Sequence, residues 1–245
     1  MKSFDKDMSV GRIHSFQSLG TVDGPGVRSV IFMQGCPLRC VCCHNPDTWN
    51  FEGGEEMTVS ELVKKIGRFS VYYGQDGGIT VSGGEPLMQA PFVAELFREL
   101  KQNGIHTALD TSGCLLNGEV KELIQYTDLV LLDFKYTNRE DYLKYTRMEM
   151  SAAQEFLDYL QEIKKPTWIR FVVIPDLNDG DDSISNIIRL KLEYDCVQKV
   201  ELLPFRKLCL EKYDNMGIEF PLKNTPEAKQ QFIDDIYKKY EKALG

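Results

Sequence analysis

No apolar run in this 245-residue chain approaches the ~18 residues that a membrane-spanning helix requires. The first nine residues, MKSFDKDMS, are charged and lack the apolar stretch of an export signal. Basic residues are outnumbered, with 29 Lys and Arg against 37 Asp and Glu for a net charge of −8. That balance argues against nucleic acid as a partner, because phosphate binding is driven by clustered cations. The largest basic groups, Lys164-Lys165 and Lys238-Lys239, read as solvated helix positions. No internal repeat, low-complexity stretch or linker interrupts the chain. One domain over residues 1–245 is therefore expected, with residues 1–9 flexible. A fold of that size needs no disulfide staples. Clustered thiols without an export signal imply a reducing compartment, so a cytoplasmic protein that spans no membrane is expected.

Cysteine is present but uneven. Cys36, Cys40 and Cys43 fall in a Cys-x3-Cys-x2-Cys loop, while Cys114, Cys196 and Cys209 stand alone and no second ligand pair exists. Three thiolates are one too few for a closed tetrahedral zinc site or a saturated iron–sulfur cube. Such a loop leaves one metal corner open to a substrate. Cys42 and His44 lie beside it and offer a fourth ligand to a structural zinc, although adjacent residues such as Cys42 and Cys43 point in different directions and rarely reach one metal. Both readings stand at this level.

Apolar runs alternate with segments of helical period, the pattern of βα units around a parallel sheet. Six strands are expected at residues 28–34, 78–82, 105–110, 128–134, 167–174 and 198–203. Runs such as Leu129-Val130-Leu131-Leu132 and Phe171-Val172-Val173-Ile174 suit strands covered on both faces. Thr58-Val59-Ser60-Glu61 is a capping box ahead of Leu62, Ile66 and Phe69. Pro91 opens a second helix along Val93, Leu96, Phe97 and Leu100, and Gly104 ends it. Asp181-Asp182-Ser183 is expected to cap a helix through Ile184, Ile187 and Ile188. Thr225-Pro226-Glu227 is expected to open a last helix with Phe232, Ile233, Ile236 and Tyr240 inward. Six units fall short of a closed eightfold barrel, so the expected fold is α/β, an incomplete (β/α)6 barrel of mostly parallel strands. Its site belongs at the carboxyl ends of the strands.

The motifs cluster at those ends. The cysteine loop follows the first strand, and Ser82-Gly83-Gly84-Glu85-Pro86 ends the second, its glycines allowing close backbone approach to a ligand. Asp110-Thr111 ends the third and Asp133-Phe134-Lys135 the fourth. These acids suit a cation or general-base role, or ordinary helix capping. Arg170 lies among apolar neighbours in the fifth strand, where a charge requires a carboxylate partner. Arg206 follows the sixth.

Taken together, the cysteine spacing and Gly83-Gly84-Glu85-Pro86 resemble the radical S-adenosylmethionine superfamily. Within it the chain is similar to the glycyl-radical enzyme activating family, of the pyruvate formate-lyase kind. Gly11-Arg12-Ile13-His14-Ser15-Phe16, Gly20-Thr21-Val22-Asp23-Gly24-Pro25-Gly26, Cys43-His44-Asn45, Asp110-Thr111, Leu132-Asp133 and Glu201-Leu202-Leu203-Pro204 carry that likeness. Residues 44 to 82 hold no cysteine, which points to the single-cluster kind. The chain departs from the family pattern at Cys42, where an aromatic residue is usual, and at Arg206, where a histidine is usual.

The resemblance implies a 4Fe-4S cluster on Cys36, Cys40 and Cys43, with S-adenosyl-L-methionine on its open corner. Contacts to that cosubstrate are implied for Cys42, Cys43, His44, Gly83, Gly84, Glu85, Asp133, Phe134, Lys135, Arg170 and Arg206. A monovalent cation is implied at Asp110, Thr111, the Leu131 carbonyl and Asp133, and a contact to the partner at Asp23. The implied partners are a glycyl-radical enzyme such as pyruvate formate-lyase and a reductant such as flavodoxin or ferredoxin. An activase of another glycyl-radical enzyme, such as anaerobic ribonucleotide reductase, and a radical enzyme acting on a small molecule, such as a deazaguanine synthase, remain open.

Overall fold

A computed structural model describes residues 9–244 of the chain. The fold is α/β with mostly parallel strands, and all six expected strands form. The chain divides into two compact units: one holds the chain up to residue 36 with 50–110 and 117–128, the other 37–49, 111–116 and 129–245. Of the stretch expected to be flexible, residues 1–8 lie outside the described residues, and the Ser9 hydroxyl donates to Glu95. No described helix is long and apolar enough to cross a membrane.

The first unit comprises β1 (Val10–Gly20), β2 (Arg28–Met33), β3 (Glu55–Thr58), α1 (Val59–Gly67), β4 (Gly78–Gly83), α2 (Ala90–Gln102), β5 (His106–Thr111) and α3 (Gly118–Gln125). Its strand order is β3-β1-β2-β4-β5. β2, β4 and β5 run parallel, with Met33 opposite Gly83 and Val81 opposite Leu109, so they end together. β1 pairs antiparallel with both β2 and β3. The sequence reading missed β1 and β3, because β1 mixes polar residues and glycine and leaves Val10 and Leu19 exposed, which erases the period of two. Val30, Ile31, Ile79, Val81, Ala108 and Leu109 of the strands are fully buried, as are Leu96, Phe97 and Leu100 of α2 and Leu123 of α3.

The second unit comprises β6 (Leu129–Asp133), α4 (Arg139–Thr146), α5 (Met150–Glu162), β7 (Thr167–Val173), α6 (Asp181–Glu193), β8 (Val197–Pro204), α7 (Leu210–Asn215) and α8 (Gln230–Lys239). β6, β7 and β8 run parallel in that order, and Asp133, Arg170 and Glu201 are register partners. Leu129 to Leu132 of β6 are buried throughout, as expected for a strand covered on both faces. β7 differs from that expectation: Ile169, Phe171 and Val173 are buried, but Trp168, Arg170 and Val172 stay half-buried. One face of β7 is therefore open enough to carry a charge.

Helix ends follow local chemistry. At α1 the Thr58 side chain accepts from the Glu61 N–H, and the Glu61 carboxylate accepts from the Thr58 N–H, closing the expected capping box. Two expected starts are corrected. α6 is entered from Gly180 without a side-chain cap, placing Asp181 and Asp182 inside its first turn, where acids favour the helix dipole. α8 begins at Gln230, after Thr225-Pro226-Glu227, so its inward stripe is Ile233 and Ile236 while Phe232 is exposed.

Replacing Thr58 by Ala removes this reciprocal cap and lowers unfolding free energy by about 1 kcal/mol, whereas Thr58→Ser retains most of it. Urea denaturation of the three proteins checks this.

Candidate functional site

In the first unit the site grows from β2 and β4. Gly83 has a φ of +107°, and a Cβ there would stand 2.4 Å from the Met33 nitrogen; a Cβ on Gly84 would stand 2.4 Å from the Gly35 carbonyl oxygen. The Gly84 N–H donates to the Met33 carbonyl and the Glu85 N–H to that of Gly35, both at 2.9 Å. The close approach read from the paired glycines is thus made first to the chain itself, at the residues leading into Cys36. Glu85 is 1 % exposed, and one of its carboxylate oxygens accepts from the Leu87 N–H at 3.1 Å. Its side chain caps the short turn Pro86–Gln89.

The Ser82 hydroxyl donates to Asp110 at 2.6 Å, which fixes that carboxylate at the end of β5. The loop containing Asp23 is held from below. Thr80 donates to the Asp23 carbonyl at 2.6 Å, and Arg28, fully buried, donates to Thr80 and to the Pro25 and Ile79 carbonyls. Burial lowers the Arg28 pKa to about 10, which leaves it charged at neutral pH. Half-buried Asp23 thus sits in a loop whose base is rigid.

In the second unit the cysteine loop is tied down along its backbone. The Arg39 and Val41 N–H groups donate to the Thr146 and Tyr145 carbonyls at 2.9 Å, and the Cys43 N–H to the Cys40 carbonyl at 3.1 Å. Lys212 bonds Asn45 at 2.8 Å and Asp47 at 3.1 Å, and the Arg39 guanidinium lies 5.0 Å from the Trp49 ring. His44 Nε2 bonds the Arg206 carbonyl at 2.8 Å, while the Arg206 guanidinium donates to the Ala228 carbonyl at 2.7 Å. Arg206 thus positions His44 through its backbone.

Burial raises the thiols of the loop, Cys42 to about 11 and Cys43 above its ordinary value. Against burial, the Asn45 backbone N–H, the Lys135 charge and the Trp49 indole N–H act on Cys43 to favour the thiolate. Burial works against the Lys135 ammonium too, yet Asp133 and then Cys40 and Cys42 hold its pKa well above the usual value. Lys135 bonds Asp133 at 2.5 Å. Two tyrosine hydroxyls, those of Tyr136 and Tyr213, are buried with no hydrogen-bond partner among the described residues. This donor-rich, cation-bearing surround suits thiolate ligands and the anionic cluster that they would carry.

The strand row meets its electrostatic requirement. Arg170 pairs with Glu201 at 3.3 Å, the carboxylate expected of it, and Lys199 bonds the same carboxylate at 2.8 Å. Leu131 is buried in β6, and the Thr111 hydroxyl accepts from the Gly113 N–H at 3.1 Å. Phe134 is 1 % exposed and packs on Tyr142, and its N–H donates to the Arg170 carbonyl at 3.0 Å, leaving its carbonyl as the part able to meet a ligand. No disulfide joins any of the seven cysteines among the described residues.

The sequence reading missed Trp49, Tyr136, Tyr213, Lys212, Arg28 and Ser82. Ser82 alone had a signal, its place ahead of the glycine pair; the others reach their positions through the fold.

A family model for the radical SAM superfamily matches residues 30–187, and the curated relatives align nearly end to end. The chain is 42% identical over 238 residues, 97% of its length and 99% of the relative's, to the pyruvate formate-lyase-activating enzyme of Clostridium pasteurianum. It is 41% identical over 239 residues, 94% of its length and 95% of the relative's, to that of Staphylococcus epidermidis. The chain belongs to the radical SAM superfamily, among its pyruvate formate-lyase-activating enzymes. Its fold is similar to that of Streptococcus suis SuiB, with a TM-score of 0.65 over 86% of this chain and 46% of that one at 14% identity. Membership implies S-adenosylmethionine and a 4Fe-4S cluster, and an activating enzyme implies a glycyl-radical enzyme as partner.

Gly83→Ala is expected to cost about 2 kcal/mol or more of stability, because it combines positive-φ strain with a backbone clash. Gly67→Ala, at the end of α1 with a Cβ that meets nothing within 4 Å, serves as the unstrained control and is expected to be neutral to slightly stabilising in the same denaturant titration.

Proposed function

We propose that this chain activates pyruvate formate-lyase by reductive cleavage of S-adenosylmethionine, removing a hydrogen from a backbone glycine of that enzyme. The 42% identity to an activating enzyme across nearly both full lengths carries the reading. Cys36, Cys40 and Cys43 would hold the 4Fe-4S cluster, whose open corner would bind S-adenosylmethionine. Bound there, the reduced cluster supplies the one electron that yields methionine and a 5′-deoxyadenosyl radical. Glycine suits the attack because its bare backbone enters a tight site.

The remaining roles belong to the residues around the cosubstrate, through backbone and side chain alike. The Gly83-Gly84-Glu85 backbone meets the methionine end, and Cys42 to His44 lie against the nucleoside. His44 is steadied for this by its bond to the Arg206 carbonyl. Asp133, Phe134 and Lys135 contact the cosubstrate, Phe134 through its backbone. Arg170 holds the strand row through Glu201 and lies at the row that meets the cosubstrate. Asp110, Thr111, the Leu131 carbonyl and Asp133 are assigned to a monovalent cation, for which Lys135 already balances part of the Asp133 charge. Asp23, on its braced loop, meets the incoming glycine segment. The electron donor is a flavodoxin or ferredoxin, and the reaction belongs in an anaerobic cytoplasm.

One anaerobic assay tests the reading. The iron-loaded protein, reduced and given S-adenosylmethionine with pyruvate formate-lyase, is expected to yield 5′-deoxyadenosine and a glycyl-radical signal in the partner. Cosubstrate cleavage without that radical would remove pyruvate formate-lyase as the partner.

The ligand assignment has its own check. Alanine at Cys36, Cys40 or Cys43 is expected to abolish the visible cluster absorbance and most bound iron, while Cys114→Ala and Cys196→Ala retain both. Equal iron in all five variants would contradict it.

A further inference from the structure

The Tyr213 side chain is 1% exposed and sits in an apolar cluster with Ile174, Phe205, Cys209, Phe220 and Ala228, against which Cys42 and Trp49 also pack. Its ring meets Trp49 edge-on at 6.1 Å and Phe220 at 4.9 Å, so the side chain has no freedom to swing toward water. A buried hydroxyl without a partner costs about 1–3 kcal/mol, and proteins rarely keep one without use. Tyr213 has none among the described residues. Burial raises its pKa, and the ionisable groups that next bear on its hydroxyl are thiols: Cys43 first, then Cys209, Cys42 and Cys40. The Cys43 sulfur already receives N–H groups from Asn45 and Trp49. Trp49 is the ring that Tyr213 packs against.

We infer that Tyr213 is a positioning residue for the redox step, its hydroxyl donating a hydrogen bond to a sulfur at the Cys43 corner of the bound cluster and making the cluster easier to reduce. The inference rests on the ligand reading proposed above. Its sign follows from charge. Reduction by one electron makes the cluster more negative, so a donor stabilises the reduced state more than the oxidised one, and hydrogen bonds to sulfur are among the settings of such potentials. Phenylalanine keeps the ring packing and removes only the donor.

The test uses the anaerobically reconstituted full-length protein and its Tyr213→Phe variant, titrated against redox mediators with the reduced cluster read by electron paramagnetic resonance. At a fixed solution potential the variant is expected to show a threefold to tenfold lower ratio of reduced to oxidised cluster; tenfold corresponds to 59 mV for a one-electron couple. An unchanged ratio in a variant with full iron content overturns the inference while leaving the cluster assignment standing. A wild-type protein that binds no four-iron cluster overturns the ligand reading instead. A second measurement reads the donor itself rather than the potential. Wild-type reduced protein exchanged into deuterated buffer, with time for buried hydroxyls to exchange, is expected to show a deuteron coupled to the cluster beyond those of backbone amides and the Trp49 indole. Loss of that signal in Tyr213→Phe supports the donor, and a signal identical in both proteins rules it out.

Discussion

A backbone contact with no room for a methyl group governs the entry to the cysteine loop. Gly83 and Gly84 lie so close to Phe32, Met33 and Gly35 that any side chain would collide with main-chain atoms, which cannot move aside as a flexible side chain would. Because β2 and β4 are parallel and in register up to Met33 and Gly83, the two hydrogen bonds from Gly84 and Glu85 fall just beyond the last paired residues. They extend the sheet's order by one turn into the loop. Cys36 therefore leaves a fixed point, and the same turn, its Gly84 and Glu85 N–H groups already engaged, presents the carbonyls assigned to the cosubstrate. Glu85 adds to this by turning inward to cap the following turn. The motif that looks like a ligand contact in sequence is also a structural clasp.

The second unit solves a different problem, that of keeping anionic sulfur in a buried place. Desolvation alone would hold these thiols protonated, as the raised values of Cys42 and Cys43 show. Metal ligation demands the thiolate, so the surround has to offset burial once metal displaces the proton. Lys135 contributes a charge, Asn45 and Trp49 contribute N–H donors, and backbone bonds from Arg39 and Val41 to the end of α4 hold the loop in place. Lys135 is kept protonated by Asp133, so the pair behaves as one unit whose positive end faces sulfur.

Much of the first level of this design was legible in the amino-acid order. Strands such as β2 and β6 announce themselves because a fully buried strand must be apolar at successive positions, and Thr58 with Glu61 marks a helix start by a local bond. The ligand spacing is local as well, since all three thiols lie within eight residues. β1 was not legible. Its pairing comes from the neighbours β2 and β3, and its own residues carry no alternation. Nor were Trp49 and Tyr213, whose meeting around Cys43 joins positions 164 residues apart (213 − 49) through the packing of a core that no local pattern encodes. Arg170 lay between these cases: the need for a carboxylate could be read from the strand, whereas its identity as Glu201 required the β7 to β8 register.

The two departures from the family pattern acquire a physical meaning from this arrangement. With Cys42 in place of an aromatic residue, the loop loses a flat face but gains a small apolar side chain that packs against the Tyr213 cluster. Aromatic mass that the loop lacks at 42 is supplied from outside it, by Trp49 on one side and by Tyr213 with Phe220 on the other. Arg206 likewise keeps its function away from its side-chain tip, since the bond that steadies His44 comes from a carbonyl that any residue at 206 possesses. The guanidinium is thereby free to bind the Ala228 carbonyl, which fastens the segment before α8 to the end of β8. At both positions the cysteine loop is held by backbone bonds and by the rings packed around it, rather than by the side-chain tips of Cys42 and Arg206 themselves.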